Sequence, residues 1–426
     1  MVKEQEPHEA KILPENLIDM HSKKESVINI TVIVAGLGYF VDIYDLLLFG
    51  ILRVKSLSSL GLDATQVRDS GEYIISLQMF GLLIGGIIWG IMGDKRGRLS
   101  VLFGSIILYS IANFSNGFVH TVGQYALVRF IAGVGLAGEL GAGITLVSEM
   151  LPREKRGLGT SLVSGIGISG AVAAYFISKA FDWRVCYFIG GGLGLVLLIL
   201  RISVLESGMF EQVKQMDVSR GNMLMFFNNR TRFKKYILSI LIGLPNWYVI
   251  GVLLTFSKEF GTSFGIAEPI DVGKVIMYSY AAIATGGLAS GLLSQWLRSR
   301  KKALYIFFAI NILFCILYFL QNSRSTDTTM YAMAIGLGFA NGYWAIFVTM
   351  AAEQFGTNLR ALAATTVPNF VRGSLPPILM LFKWLRLSFG YVAGGWMTGV
   401  IVMAIALFAT WQTEETFEKD LNYIER

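Results

Sequence analysis

Five ionisable residues interrupt stretches that are otherwise apolar: Asp42, Asp45, Arg129, Glu139 and Arg372. Isolated charges are costly to bury, and chains that keep them in apolar segments use them on ion or substrate pathways. Asp42 and Asp45 are spaced i, i+3, so they share one helix face, with Tyr39 and Phe49 near the same stripe. Two neighbouring buried carboxylates repel, and one of them should hold a proton. That suits a proton bound on one side of a barrier and released on the other. The bland alternative is a structural pair near lipid head groups, satisfied by water or lysine.

Arg129 and Glu139 lie ten residues apart, ~15 Å along a helix, too far for a direct pair. Arg129 therefore needs a carboxylate from another helix. Asp42 or Asp45 is the obvious choice. Asp45, deeper into the span from the cytoplasmic end, is the expected proton carrier and Asp42 the expected partner of Arg129. Glu139 has no evident cation at its own depth and is a second candidate for protonation. Arg372 stands between Pro368 and the Pro376–Pro377 pair, and prolines free backbone carbonyls and disturb a helix. An arginine beside an interrupted helix reads as an anion site or as the partner of a buried acid. Asn246, Trp247 and Tyr248 follow Pro245, and Asn341 and Trp344 are spaced i, i+3. Aromatic walls with a few orienting amides are the usual lining of a small-molecule pocket. No histidine cluster or paired cysteine suggests a metal or a disulfide, since His8, His21 and His120 fall outside the apolar runs and Cys186 and Cys315 inside them.

These side chains need a scaffold that carries charge through lipid. Hydrophobic residues form 54% of the chain and charged residues 15%, against roughly 25% charged in an ordinary soluble domain. The apolar runs approach the ~20 residues needed to cross a bilayer, where only internally hydrogen-bonded helices are admissible. They predict twelve spans: 27–52, 73–92, 99–118, 122–149, 158–180 and 184–204, then 236–257, 272–296, 303–320, 329–351, 361–384 and 390–411. Residues 1–26 are a polar tail without the pattern of a signal peptide, 206–235 a basic linker between two halves, 27–205 and 236–411, and 412–426 a second tail. Bases cluster at 95–98, 153–156, 298–302 and in the linker. All fall on one side of a twelve-span layout, which the positive-inside rule makes cytoplasmic along with both termini.

The segment Gly90–Arg98 (GIMGDKRGR) joins two spans with one acid, three bases and three glycines, and a degraded copy begins at Gly291, with Gln295 in place of the acid. Asp94 at a helix boundary favours a positive dipole end, and Lys95 and Arg98 suit carboxylates or helix C-termini. The twelve spans, the two halves and this loop resemble the major facilitator superfamily. Arg129 with Gly133, Gly135 and Gly138 is similar to that family's fourth-helix motif. Glu149–Pro152–Arg156–Gly157 resembles the exit of the fourth helix in its sugar and organic-acid porters, echoed by Glu353, Phe355, Thr357 and Arg360. The spelling Asp42–Ile43–Tyr44–Asp45 is similar to the first-helix acids of proton symporters for aromatic acids and phosphate.

The resemblance implies an all-α membrane protein of two pseudo-symmetric six-helix halves working by alternating access. In the family the loop latches the halves, so Gly90, Asp94, Lys95, Gly97 and Arg98, with Glu149, Arg156, Glu353 and Arg360, are the expected gate. The paired glutamines of sugar porters are missing from 241–256 and the G-P-x-x-G-G of drug antiporters from 165–170. The expectation is a proton-coupled symporter taking up a small organic anion, monomeric, in a bacterial inner membrane, and without a cofactor beyond the proton. An exporter of a metabolite or siderophore, or a non-transporting receptor, are the alternatives.

Overall fold

The computed structural model describes residues 30–96, 98–139, 153–205 and 224–417, and everything regular among them is helical. The first half comprises α1 (Ile30–Ser59), α2 (Ala64–Arg96), α3 (Arg98–Asn116), α4 (Val122–Leu136), α5 (Arg153–Ala180) and α6 (Trp183–Leu205). After a single turn, α7 (Leu224–Phe227), the second half begins with α8 (Arg230–Tyr248), a π-helical segment Val249–Leu254 and α9 (Ser257–Phe264), which together form one rod. Then come α10 (Val272–Trp296), α11 (Arg300–Phe319), α12 (Asp327–Asn341) with α13 (Trp344–Glu353), α14 (Thr357–Gly373) with α15 (Leu375–Phe389), and α16 (Tyr391–Gln412). Nine of these rods are long and apolar enough to cross a membrane, and α3 and α4 are shorter apolar helices among the described residues. The α14–α15 rod completes twelve.

The first rod is longer than its apolar run suggests. Residues 53–59 extend α1 and 64–72 open α2, so the connecting loop shrinks to 60–63 rather than 53–72. Of their charges, Arg53 and Glu72 are buried and pair with Glu259 and Arg386 of other helices. Likewise α8 starts at Arg230, where Asn229 caps it by accepting from the N–H groups of Thr231 and Arg232.

Glycines set the packing inside each half. A Cβ at Gly133 of α4 would strike the carbonyl of Gln78 on α2, and one at Gly338 of α12 would strike that of Ser279 on α10. The two halves thus repeat the same close helix pair. Between halves, α2 packs on α14 and α5 on α10. Charged side chains lie at the centre of the bundle while large apolar ones also cover its outside: Trp296 is 80% exposed while Asp42, Asp45 and Arg129 are wholly buried. That inversion of a soluble protein's surface is what lipid requires.

Interrupted rods have local causes. Pro376 and Pro377 stand at the start of α15 and withhold two N–H groups, so the eleventh rod breaks at Ser374. Arg372 thereby falls in the last turn of α14, where a cation meets exposed carbonyls. The tenth rod breaks at Gly342–Tyr343, and Thr255 donates both its N–H (3.1 Å) and its hydroxyl (2.7 Å) to the Ile250 carbonyl at the end of the π segment.

Candidate functional site

The acids of α1 divide between two arginines. Arg129 Nη1 donates to Asp45 Oδ1 at 2.9 Å and Nη2 to the Asp45 backbone carbonyl at 3.0 Å. Its Nε reaches Gln78 Oε1 at 3.2 Å, Nη1 also reaches Asn113 at 3.3 Å, and the guanidinium lies 5.5 Å from the ring centre of Tyr187. The partner of Arg129 is therefore Asp45, not the expected Asp42. Three residues of helix advance ~300°, leaving the two acids ~60° apart around the axis and ~4.5 Å apart along it. That offset turns Asp45 toward α4 and Asp42 toward the other half.

Asp42 faces Arg372 of α14 at 3.5 Å, both side chains being buried. Arg372 Nε and Nη1 have no hydrogen-bond partner among the described residues, nor does Asp45 Oδ2. Tyr39 of α1 and Tyr280 of α10 lie close enough for the charges of Asp42 and Arg372 to act on both hydroxyls. Asn369, one turn before Arg372, donates to the Ala137 carbonyl across the halves at 2.9 Å. The pair Asp42–Arg372 thus sits at the seam of the halves with aromatic side chains beside it.

Glu139 is not without a cation. Arg201 of α6 meets it through Nη2 at 2.8 Å and Nη1 at 3.1 Å, and Ser105 donates to it at 2.9 Å. The signal was present, a lone arginine late in the sixth span, but only tertiary packing shows that α6 brings it to α4.

The second-half candidates separate. Asn246 donates to the Asn341 carbonyl at 3.2 Å, and Asn311 donates to Asn341 Oδ1 at 3.0 Å. The Asn246 amide is thereby spent on the break of the tenth rod, while Asn341 Nδ2 has no hydrogen-bond partner among the described residues. Trp344 lies past that break, 5.1 Å from Phe347, so it does not share a helix face with Asn341. Tyr248 donates to the Gly395 carbonyl of α16 at 2.7 Å and is packing within the second half. Trp247 is buried with no partner for its Nε1 among the described residues.

Of the expected gate, Gly90 packs against Leu362 and Thr366 of α14, and Glu353 meets Arg300 at 3.1 Å. The side chains of Asp94, Lys95, Arg98, Glu149, Arg156 and Arg360, and Gly97, lie outside the described residues. At the opposite end, near loop 60–63, three cations join the halves through four ion pairs among the described residues. Arg53 of α1 meets Glu259 of α9 at 2.6 Å and donates to the Thr255 carbonyl at 3.3 Å. Arg386 of α15 engages Glu72 and, at 3.2 Å, Asp69 of α2. Lys179 of α5 meets Asp271 at 2.7 Å. These charges were unassigned by sequence because they sat in presumed loops or at span ends. They close the loop-60 end of the bundle.

The Major Facilitator Superfamily matches residues 30–374. The niacin transporter NiaP of Acinetobacter baylyi is 24% identical, over 92% of this chain and 95% of that protein. The 3-(3-hydroxy-phenyl)propionate transporter of Escherichia coli is 25% identical, over 91% and 95%. Among solved structures, the proton:xylose symporter XylE bound to 6-bromo-6-deoxy-D-glucose is 18% identical with a TM-score of 0.67, covering 92% of this chain and 97% of that one.

Proposed function

The chain belongs to the major facilitator superfamily, and on that premise we propose that it takes up a small organic anion together with a proton. Family and relatives are transporters, not enzymes, and the bundle is a multi-pass membrane protein. The observation that carries the finer reading is the Asp42–Arg372 pair across the seam. An anion seeking Arg372 must displace Asp42, and protonating Asp42 removes that competitor. Proton and anion therefore bind together, which is symport. The halves then rock about this mid-membrane site, with the basic loops facing the cytoplasm and the ion-paired loop-60 end facing outward.

This reading moves the proton from Asp45 to Asp42. Asp45 is held by two hydrogen bonds from Arg129 inside one half, where rocking leaves the pair intact. Tyr39 and Tyr280 beside the charges favour an aromatic monocarboxylate, in keeping with relatives named for niacin and 3-(3-hydroxy-phenyl)propionate. Purified protein in liposomes should accumulate nicotinate, benzoate or 3-(3-hydroxyphenyl)propionate under an inward proton gradient. Arg372→Ala should weaken binding of the active anion by roughly 1.5–3 kcal/mol, the worth of a charge-assisted hydrogen bond. A neutral sugar or a cation as the best ligand refutes the anion reading.

A further inference from the structure

The two halves differ where the repeat lost its acid. The first loop has Asp94, while the copy has Gln295, whose side chain is exposed. The second loop nevertheless receives a carboxylate, and it comes from the C-terminal tail. Glu415 accepts from the hydroxyl of Ser299, the N-cap of α11. It also accepts from the N–H groups of Arg300 at 2.9 Å and Lys301 at 3.2 Å. These are the orphan donors of the first turn of α11, at the positive end of its dipole. Arg298 just before them adopts φ 47°, a left-handed turn that an arginine seldom takes unaided.

The neighbouring tail residues converge on one ion pair. Thr416 donates to Glu353 Oε2 at 2.6 Å, beside the bonds from Arg300 Nη2 (3.1 Å) and Nε (3.4 Å). The guanidinium of Arg300 lies 5.4 Å from the ring centre of Phe417. Lys301 Nζ holds the Thr413 carbonyl at 2.7 Å and Gln354 the Glu414 carbonyl at 3.0 Å. Partial burial pushes the Glu415 carboxyl up, but the bonds from Ser299 and the N–H groups of Phe417, Arg300 and Lys301 outweigh it and hold the group below the usual carboxylate range.

We propose that Glu415 and Thr416 are positioning residues for the Arg300–Glu353 pair, the tail supplying to the second loop the carboxylate that its repeat lacks. The tail is then a clasp that ties the start of α11 to the end of α13, so that the second half moves as one body. The proposal needs only that the chain is a two-half transporter and is independent of substrate, proton coupling and direction.

Hydrogen–deuterium exchange on the full-length purified protein tests it without any ligand. Glu415→Gln should speed amide exchange at least tenfold at 300–302 and also at 353–356, with the rest of α8–α16 unchanged. Acceleration at 300–302 alone would show that the carboxylate caps a helix and positions nothing, and no acceleration at either place would remove the clasp altogether. A uniform loss of protection would mark a general stabiliser and also overturn the proposal. Thr416→Val keeps the carboxylate and deletes only the hydroxyl given to Glu353. It should speed exchange at 353–356 and leave 300–302 unchanged, and it decides the matter if Glu415→Gln does not fold.

Discussion

If Asp42 competes with the substrate for Arg372, replacing it with asparagine should separate binding from coupling. In the native chain the anion must take Arg372 from a buried carboxylate 3.5 Å away. Its affinity should therefore fall as pH rises and Asp42 loses its proton. Asparagine has the same shape without the charge. The variant should bind the anion equally well at every pH, and at high pH more tightly than the native chain. The gain is the charge-assisted bond no longer contested, ~1.5–3 kcal/mol, or roughly ten- to hundredfold in Kd. Calorimetric titration of the active anion across a pH series measures it. In liposomes Asp42→Asn should still exchange labelled for unlabelled anion while losing accumulation against a gradient. A variant that keeps the native pH dependence, or still accumulates under an imposed pH difference, refutes Asp42 as the carrier. Asp45 and then Glu139 would be next.

Asp45→Asn should act on folding rather than on coupling. Stranding Arg129 without its carboxylate costs ~3–5 kcal/mol, visible as a loss of folded protein that Asp45→Asn with Arg129→Met partly restores. Glu259→Gln should weaken the loop-60 closure, so that a cysteine placed at buried Ser257 reacts with a membrane-impermeant maleimide at least tenfold faster; an unchanged rate removes Arg53–Glu259 from the gate. Asp94→Asn should slow anion exchange in liposomes while leaving expression and anion binding intact, and native exchange rates would end the latch role of that loop.

How much the sequence disclosed follows from what each signal reports. Apolar run length reports burial in lipid, so the twelve rods and their order were legible, as was the break beside Arg372, since proline acts on its own helix. Run length fails at the ends, where Arg53, Asp69 and Glu72 look like loop residues but lie inside helices, their charges met by Glu259 and Arg386. Periodicity placed Asp42 and Asp45 on one face but not which neighbour each half of that face would meet. The pairings Asp45–Arg129, Asp42–Arg372 and Glu139–Arg201 join residues far apart in the chain, and each depends on how the helices are rotated. Asn246 and Tyr248 show the converse: polar residues near a cavity-forming helix whose side chains are taken up by backbone carbonyls of neighbouring helices.

The layout of α1 explains why two acids one turn apart would serve different ends. A contact between residues of one half survives rocking, whereas a contact across the seam must break or change partner. Asp45 makes the first kind with Arg129; Asp42 with Arg372 and Arg53 with Glu259 make the second. From Asp42 to Arg53 is ~16 Å of helix, so the two crossing contacts occupy different depths, one at the centre and one near the loop-60 end. Opening that end breaks Arg53–Glu259 while Asp42 can stay beside Arg372. On the proposed reading, a proton arriving through the opened end would find Asp42, free Arg372, and let the anion bind. Closing again requires Arg53 to regain Glu259, which no substrate charge needs to assist. Selection and closure would thereby fall to separate ion pairs on one helix, and on the proposed reading variants at Glu259 should alter the rate of opening without altering the pH dependence of anion binding, which would belong to Asp42.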